Sequence, residues 1–124
     1  MTSKIIAIAV DCLDLDRMAE FWCAALGSEI HRQWRDERGK RYLELGLGPG
    51  VDGADSVVLL QPVEEEKRIK NRIHLDLAPL DGGQADEVAR LVELGATVVA
   101  DEADFPWVVL ADPEGNEFCV LPPR

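Results

Sequence analysis

Hydrophobic and polar positions set a period of two from Ile5 to Val10, with Ile6, Ile8 and Val10 on one face and Ile5, Ala7 and Ala9 on the other. This predicts a strand over residues 4–11, ending at the acidic stretch from Asp11 to Asp16. Leu15, Met18, Ala19, Trp22, Ala25 and Leu26 then fall at helical spacing and predict a helix over residues 15–26. Asp14 is placed to accept from the first free backbone N–H groups, and Gly27 to take the left-handed conformation that stops a helix. Strands over about residues 28–35 and 40–47 flank Asp36-Glu37-Arg38-Gly39, a hairpin turn by composition. A Gly/Pro-rich loop from Gly48 to Gly53 leads into the β-branched and leucine run from Val57 to Gln61. The first half therefore reads β-α-β-β-β.

Pro62 to Asn71 is polar, charged and linker-like. Ile73, Leu75 and Leu77 then alternate with His74, Asp76 and Ala78 as a strand, and a helix over about residues 84–94 runs through Val88, Leu91 and Val92 to Gly95. Strands are predicted near residues 96–101, 106–111 and 117–121, the last two joined by the turn Asp112-Pro113-Glu114-Gly115-Asn116. Sliding the chain by 67 residues lays Ala7 to Asp14 on His74 to Asp81, and Leu26-Gly27 matches Leu94-Gly95 after a one-residue gap. The fold class expected is α+β: two tandem β-α-β-β-β modules forming a half-open barrel with a concave cleft. One domain over residues 1–124 is expected, with module one at about 1–62, a linker at 63–71 and module two at about 72–124.

Charge narrows the partners. The net charge of −11 repels phosphate backbones and anionic headgroups, so neither nucleic acid nor membrane is an expected partner. Residues 72–124 carry three basic and 11 acidic side chains, which makes the second half attractive to cations. The three cysteines, Cys12, Cys23 and Cys119, show no Cys-x-x-Cys spacing and fit a reducing cytoplasm. The apolar run Ile5 to Val10 is too short for an export or membrane segment, so a cytoplasmic location is expected.

Val10-Asp11-Cys12-Leu13-Asp14 running into Phe21 to Gly27, then Asn71-Arg72-Ile73-His74-Leu75-Asp76-Leu77, and finally Asp112-Pro113-Glu114-Gly115-Asn116-Glu117-Phe118 span nearly the whole chain. Together they resemble the vicinal oxygen chelate superfamily, which includes glyoxalase I, extradiol dioxygenases and bleomycin-resistance proteins. The likeness is strongest to its glyoxalase-like single-domain members. It implies a small-molecule cleft, a homodimer and, in metal-dependent members, four ligands: one on the first and one on the last strand of each half.

Carried onto this chain, those positions fall on Ile5 or Ala7, on Gln61, on His74 and on Cys119. Only His74 is an unchanged ligand type. The matched positions supply no carboxylate oxygen for Mg, Mn, Fe or Ni, and His74 with Cys119 is one or two ligands short of a zinc site. No metal and no cofactor are expected. The inward strand parity names the ligand cleft: Ala7, Ala9, Asp11, Gln61, His74, Asp76 and Cys119.

Plainer roles compete with these. His74 suits a hydrogen-bonded structural role as well as a ligand or proton shuttle; Asp76, two residues on and on the same face, favours the latter. Cys119 suits a small buried apolar role better than a nucleophile. Trp22 belongs to the core face of its helix, whereas Trp34 and Trp107 either line a cleft mouth or cover an edge. Arg32, Arg35, Arg38, Lys40 and Arg41 read as a solvated hairpin, because Asp36 and Glu37 interrupt them. The leading expectation is a glyoxalase-like protein that binds a small organic ligand without a catalytic divalent metal. A metal-dependent lyase, isomerase or dioxygenase of the same superfamily and a bleomycin-resistance-like drug-sequestering protein are the alternatives.

Overall fold

The computed structural model describes residues 1–49 and 57–124, so Gly50 to Gly53 of the expected Gly/Pro-rich loop lie outside the described residues. The chain resolves into two compact units, Met1–Glu65 and Glu66–Arg124. In the first, the elements are β1 (Ala7–Cys12), α1 (Leu15–Leu26), β2 (Ile30–Arg35), β3 (Arg41–Leu45) and β4 (Val57–Pro62). In the second they are β5 (Asp76–Leu77), α2 (Gln84–Leu94), β6 (Thr97–Ala100), β7 (Val108–Ala111) and β8 (Glu117–Val120). Each unit is thus β-α-β-β-β, as the internal repeat implies.

The two sheets share one topology. Strand order is β1-β4-β3-β2 in the first and β5-β8-β7-β6 in the second, with the first strand parallel to the last and the other pairs antiparallel. Both sheets are open, and β1, β2, β5 and β6 are their edges.

Helix α1 starts and stops where its end residues dictate. The Asp14 side chain accepts from the Arg17 N–H at 3.0 Å, and Gly27 at φ 64° donates its N–H back to the Cys23 carbonyl. Its buried face, with Met18, Phe21 and Trp22, packs on β3 and β4, where Leu43, Leu45, Val58 and Leu60 are buried. Burying a side chain of this size contributes about 1.5–3 kcal/mol. Trp22 is accordingly a core residue. In the second unit α2 packs on β6 and β8, and Leu91, Leu110, Phe118 and Val120 are buried. Its N-cap, Gly83, offers no side-chain hydrogen bond.

Two strands are shorter than the alternation suggests. β1 begins at Ala7, leaving Ile5 and Ile6 exposed, and β5 is only Asp76–Leu77, with Ile73 84% exposed. The expected apolar, helix-facing set of Ile73, Leu75 and Leu77 is corrected at Ile73 for a physical reason. Alternation sets which way side chains point, but burial and a ladder need a partner strand, and β8 offers β5 only four residues. His74 thus lies just ahead of β5, where the pairing continues through a single bond from Cys119 N–H to the Leu75 carbonyl at 2.9 Å.

Loops tie the units internally. Gly48, at φ 92°, runs over the end of α1 so closely that a Cβ there would stand 2.1 Å from the Leu26 carbonyl oxygen. The turn before β8 is built on buried Asp112, whose Oδ1 accepts from the N–H groups of Glu114 and Asn116, each at 3.0 Å. The linker-like stretch is fastened to the second unit. Lys67 Nζ lies 2.8 Å from Glu117 Oε1, and the Asn71 N–H donates to Glu117 Oε2 at 3.1 Å.

Candidate functional site

In each sheet one face is buried beneath the helix of its own unit, and the register fixes which residues share the other. In the first unit the open face has a row formed by Ala9, Leu59, Glu44 and Arg32 across β1, β4, β3 and β2. Ala7 pairs with Val57, and Asp11 with Gln61, on the same face. Asp11 is exposed, while Ala7 and Gln61 are half-buried. In the second unit the equivalent row is Asp76, Cys119, Val109 and Ala100. Within each unit these strand residues therefore share one face of the sheet.

Three of the named residues meet in the second unit. His74 Nε2 stands 3.3 Å from Asp76 Oδ1, and Asp76 lies opposite Cys119 in the β5–β8 ladder. One donor atom from each of His74, Asp76 and Cys119 lies within 4.8 Å of the others. Cys119 is buried at 7% exposure, whereas His74 and Asp76 are exposed, so a sulfur forms the floor of the group and a nitrogen and an oxygen its rim. Burial pushes the Cys119 thiol above its ordinary range, the Asp76 carboxylate adds to this through its charge and a hydrogen bond, and the Lys70 ammonium opposes it. A raised thiol is a poor nucleophile, which favours the apolar, buried role foreseen for Cys119 over covalent catalysis.

Beside this group lies the Glu117–Lys67 pair. Partial burial alone would raise the Glu117 carboxyl, but the hydrogen bonds from Lys67 and the Asn71 N–H hold it down at about 2. Sequence reasoning missed this pair, because Lys67 and Glu117 are joined by no local spacing.

The register refines the ligand positions that the superfamily resemblance implies. The 67-residue repeat sets Ala9 against Asp76, and Ala9 pairs with Leu59 as Asp76 pairs with Cys119. The first-unit counterpart of Cys119 is therefore Leu59, with Gln61 one step further along the same face. Aliphatic residues thus stand at both first-unit positions, and a glyoxalase-type ion held by carboxylates does not fit this donor set.

The basic hairpin is a structural feature. Arg32 pairs with Glu44 at 3.7 Å, Arg38 with Asp36 at 3.8 Å and Arg41 with Asp16, while Arg35 donates to the Gly39 carbonyl. Trp34 stacks on Tyr42 at 5.5 Å between centroids, and the Arg32 guanidinium lies 4.4 Å above the Trp34 ring. Desolvation raises the Asp36 carboxyl, but the Lys40 N–H, the Tyr42 hydroxyl donating at 2.9 Å and the Arg38 N–H together hold it below its usual range. Trp107 stacks on Phe105 ahead of β7, and both are exposed. Among the described residues no helix is long and apolar enough to cross a membrane.

Comparison with known proteins places this architecture. A family profile described as a glyoxalase-like domain matches residues 7–121. No curated protein matches the sequence significantly. Among solved structures, the fosfomycin resistance protein FosX from Mesorhizobium loti is similar over 98% of this chain and 92% of its own, with 14% identity and a TM-score of 0.75. The trypanothione-dependent glyoxalase I of Leishmania major is similar over 97% of this chain and 86% of its own, with 18% identity and a TM-score of 0.69. A FosX variant from Listeria monocytogenes, complexed with Mn(II) and a dihydroxypropylphosphonic acid, is similar over 98% of this chain and 93% of its own, with 13% identity and a TM-score of 0.70.

Proposed function

Because the chain belongs to the glyoxalase-like domain family, within the vicinal oxygen chelate superfamily, we propose that it binds a small organic molecule without the carboxylate-held divalent ion of glyoxalase-type sites. The candidate contact residues are Ala7, Asp11 and Gln61 on the open sheet face of the first unit and, taken separately, His74, Asp76 and Cys119 on that of the second. The observation that supports this reading is that Ala7, set against His74 by the 67-residue repeat, and Leu59, set against Cys119 by the two ladders, carry no donor atom. Structural relatives that include fosfomycin resistance proteins, one complexed with a phosphonic acid, support small polar organic molecules as the class to screen first. The three free thiols support a reducing, cytoplasmic setting.

The protein acts in this reading as a homodimer. The edge strands β2 and β6 expose Ile30, Val98 and Val99, apolar side chains that an isolated edge leaves in water.

A thermal-shift screen of small organic acids, phosphonates and cationic glycopeptides, each with and without Mg, Mn and Ni, tests the proposal. A ligand at 100 times its Kd stabilises the folded state by about 2.7 kcal/mol. The expected outcome is a ligand-dependent rise in Tm that these ions leave unchanged. Stabilisation that requires Mn, Mg or Ni, together with one such ion per chain retained through dialysis, overturns it in favour of a metal-dependent enzyme.

A further inference from the structure

We propose that His74, Asp76 and Cys119 form a three-ligand site for a borderline-soft divalent cation, zinc foremost, built entirely within the second unit. The site shares His74 and Cys119 with the superfamily's second-half positions but takes its third ligand from Asp76, which is none of the four, and nothing from the first unit takes part. It does not rest on the small-molecule reading.

His74 and Cys119 alone are two donors for zinc, one fewer than a catalytic-type site needs. The ladder supplies the third: Asp76 is opposite Cys119, and its Oδ1 is 3.3 Å from His74 Nε2. The donor atoms lie within 4.8 Å of one another. Around tetrahedral zinc, bond lengths of about 2.0–2.3 Å put donors roughly 3.3–3.8 Å apart. Closing the group takes about 1 Å of rotamer adjustment at the rim, where His74 and Asp76 are exposed and exchange their mutual contact for the ion, while Cys119 stays in its strand.

Donor chemistry selects the ion. A thiolate sulfur, an imidazole nitrogen and one carboxylate oxygen suit zinc and its neighbours, whereas Mg and Ca want all-oxygen shells. Thiolate and carboxylate together carry two negative charges, which offset those of the ion. The acidic excess of residues 72–124 raises its local concentration. With the floor and two rim positions filled by protein, the fourth tetrahedral position faces outward, where water or an organic ligand can take it.

Two titrations of the chelator-treated full chain test the site: zinc by calorimetry, and cobalt by absorption. We expect one ion per chain and a thiolate-to-cobalt charge-transfer band. Cys119→Ser abolishes the band, and Asp76→Asn or His74→Ala weakens zinc by at least ~10-fold, a loss that even removal of a ligand's supporting partner produces. In the unmutated protein, zinc but not magnesium protects Cys119 from alkylation, with Cys12 and Cys23 read separately by peptide mapping. Absence of the band, or zinc that leaves Cys119 as reactive as before, overturns the proposal whether or not the variants fold. These results are distinguishable from failure of the functional reading, which turns on Mn, Mg or Ni.

Discussion

Asp76 stands opposite Cys119 across the parallel β5–β8 ladder and adds its charge to the burial that raises the Cys119 thiol. Burial is the larger cause of the raised thiol, and the Asp76 charge and hydrogen bond add to it. In chelator at neutral pH, Cys119 is therefore expected to alkylate slowly. Asp76→Asn removes the negative charge, lowers the thiol pKa and speeds alkylation several-fold, since rate follows thiolate fraction. Iodoacetamide labelling across pH, read at the Cys119 peptide, checks both the direction and the residue.

Glu117 makes stability sensitive to acid. Its carboxyl is held at about 2 in the folded chain, against an ordinary value of 4.5, so the folded state binds its proton less tightly than the unfolded state does. The stabilisation is full above the ordinary value and is lost as pH falls through 4.5 towards 2. Glu117→Gln should cost about 1–2 kcal/mol at pH 7, the scale of a charge-assisted hydrogen bond in a partly buried pair. It should also flatten the acid limb of a denaturation series. An unchanged acid limb would show that the pair contributes nothing.

Gly48 is a position for glycine alone. Its φ is 92°, and a Cβ would meet the Leu26 carbonyl oxygen at 2.1 Å, a backbone atom that no rotamer change can move. Gly48→Ala should destabilise the chain by about 2–3 kcal/mol, combining left-handed strain with displacement of the end of α1. Gly39→Ala is the control. It also has a positive φ, 82°, but meets nothing within 4 Å, and should cost about 1 kcal/mol. Urea unfolding of the two variants separates strain from collision.

The homodimer predicts a mass near twice 13.7 kDa by light scattering at micromolar concentrations. Val99→Lys on β6 should shift it towards the monomer if that edge is buried between copies, since an inserted charge disfavours edge pairing. A mass near 13.7 kDa across the whole concentration range removes the dimer from the functional reading.

Local rules made the helices legible. Asp14 and Gly27 mark the ends of α1 because capping acts over a few residues, and the bounds Leu15–Leu26 follow from them. The hairpin turn was legible for the same reason, with Asp36 Oδ1 accepting from the N–H groups of Arg38 and Lys40. Strand length was less so. Ile73 continues an apolar alternation beyond the two residues that β5 pairs with β8, and the sequence of one strand says nothing about the length of its partner.

The candidate site was half legible for a related reason. His74 and Asp76 are two residues apart, and their shared face follows from strand periodicity. That Cys119 closes the group, that Leu59 is its counterpart in the first unit and that Lys67 reaches Glu117 all depend on register between distant segments. A charged stretch such as Glu64 to Lys70 looks like a linker until the one carboxylate that fixes it is known.

The brevity of β5 also orders events in time. Its two residues pair only with β8, some 43 positions later in the chain, so this is the longest-range strand pairing of the second unit. Loop closure of that length comes late in folding, after the β6–β7–β8 meander has formed from near neighbours. With so short a ladder, the same segment is also the first to let go. The amides from Leu75 to Leu77 should exchange with solvent ahead of those in β7, and whatever His74 and Asp76 bind would act as a latch, slowing that opening in proportion to its occupancy.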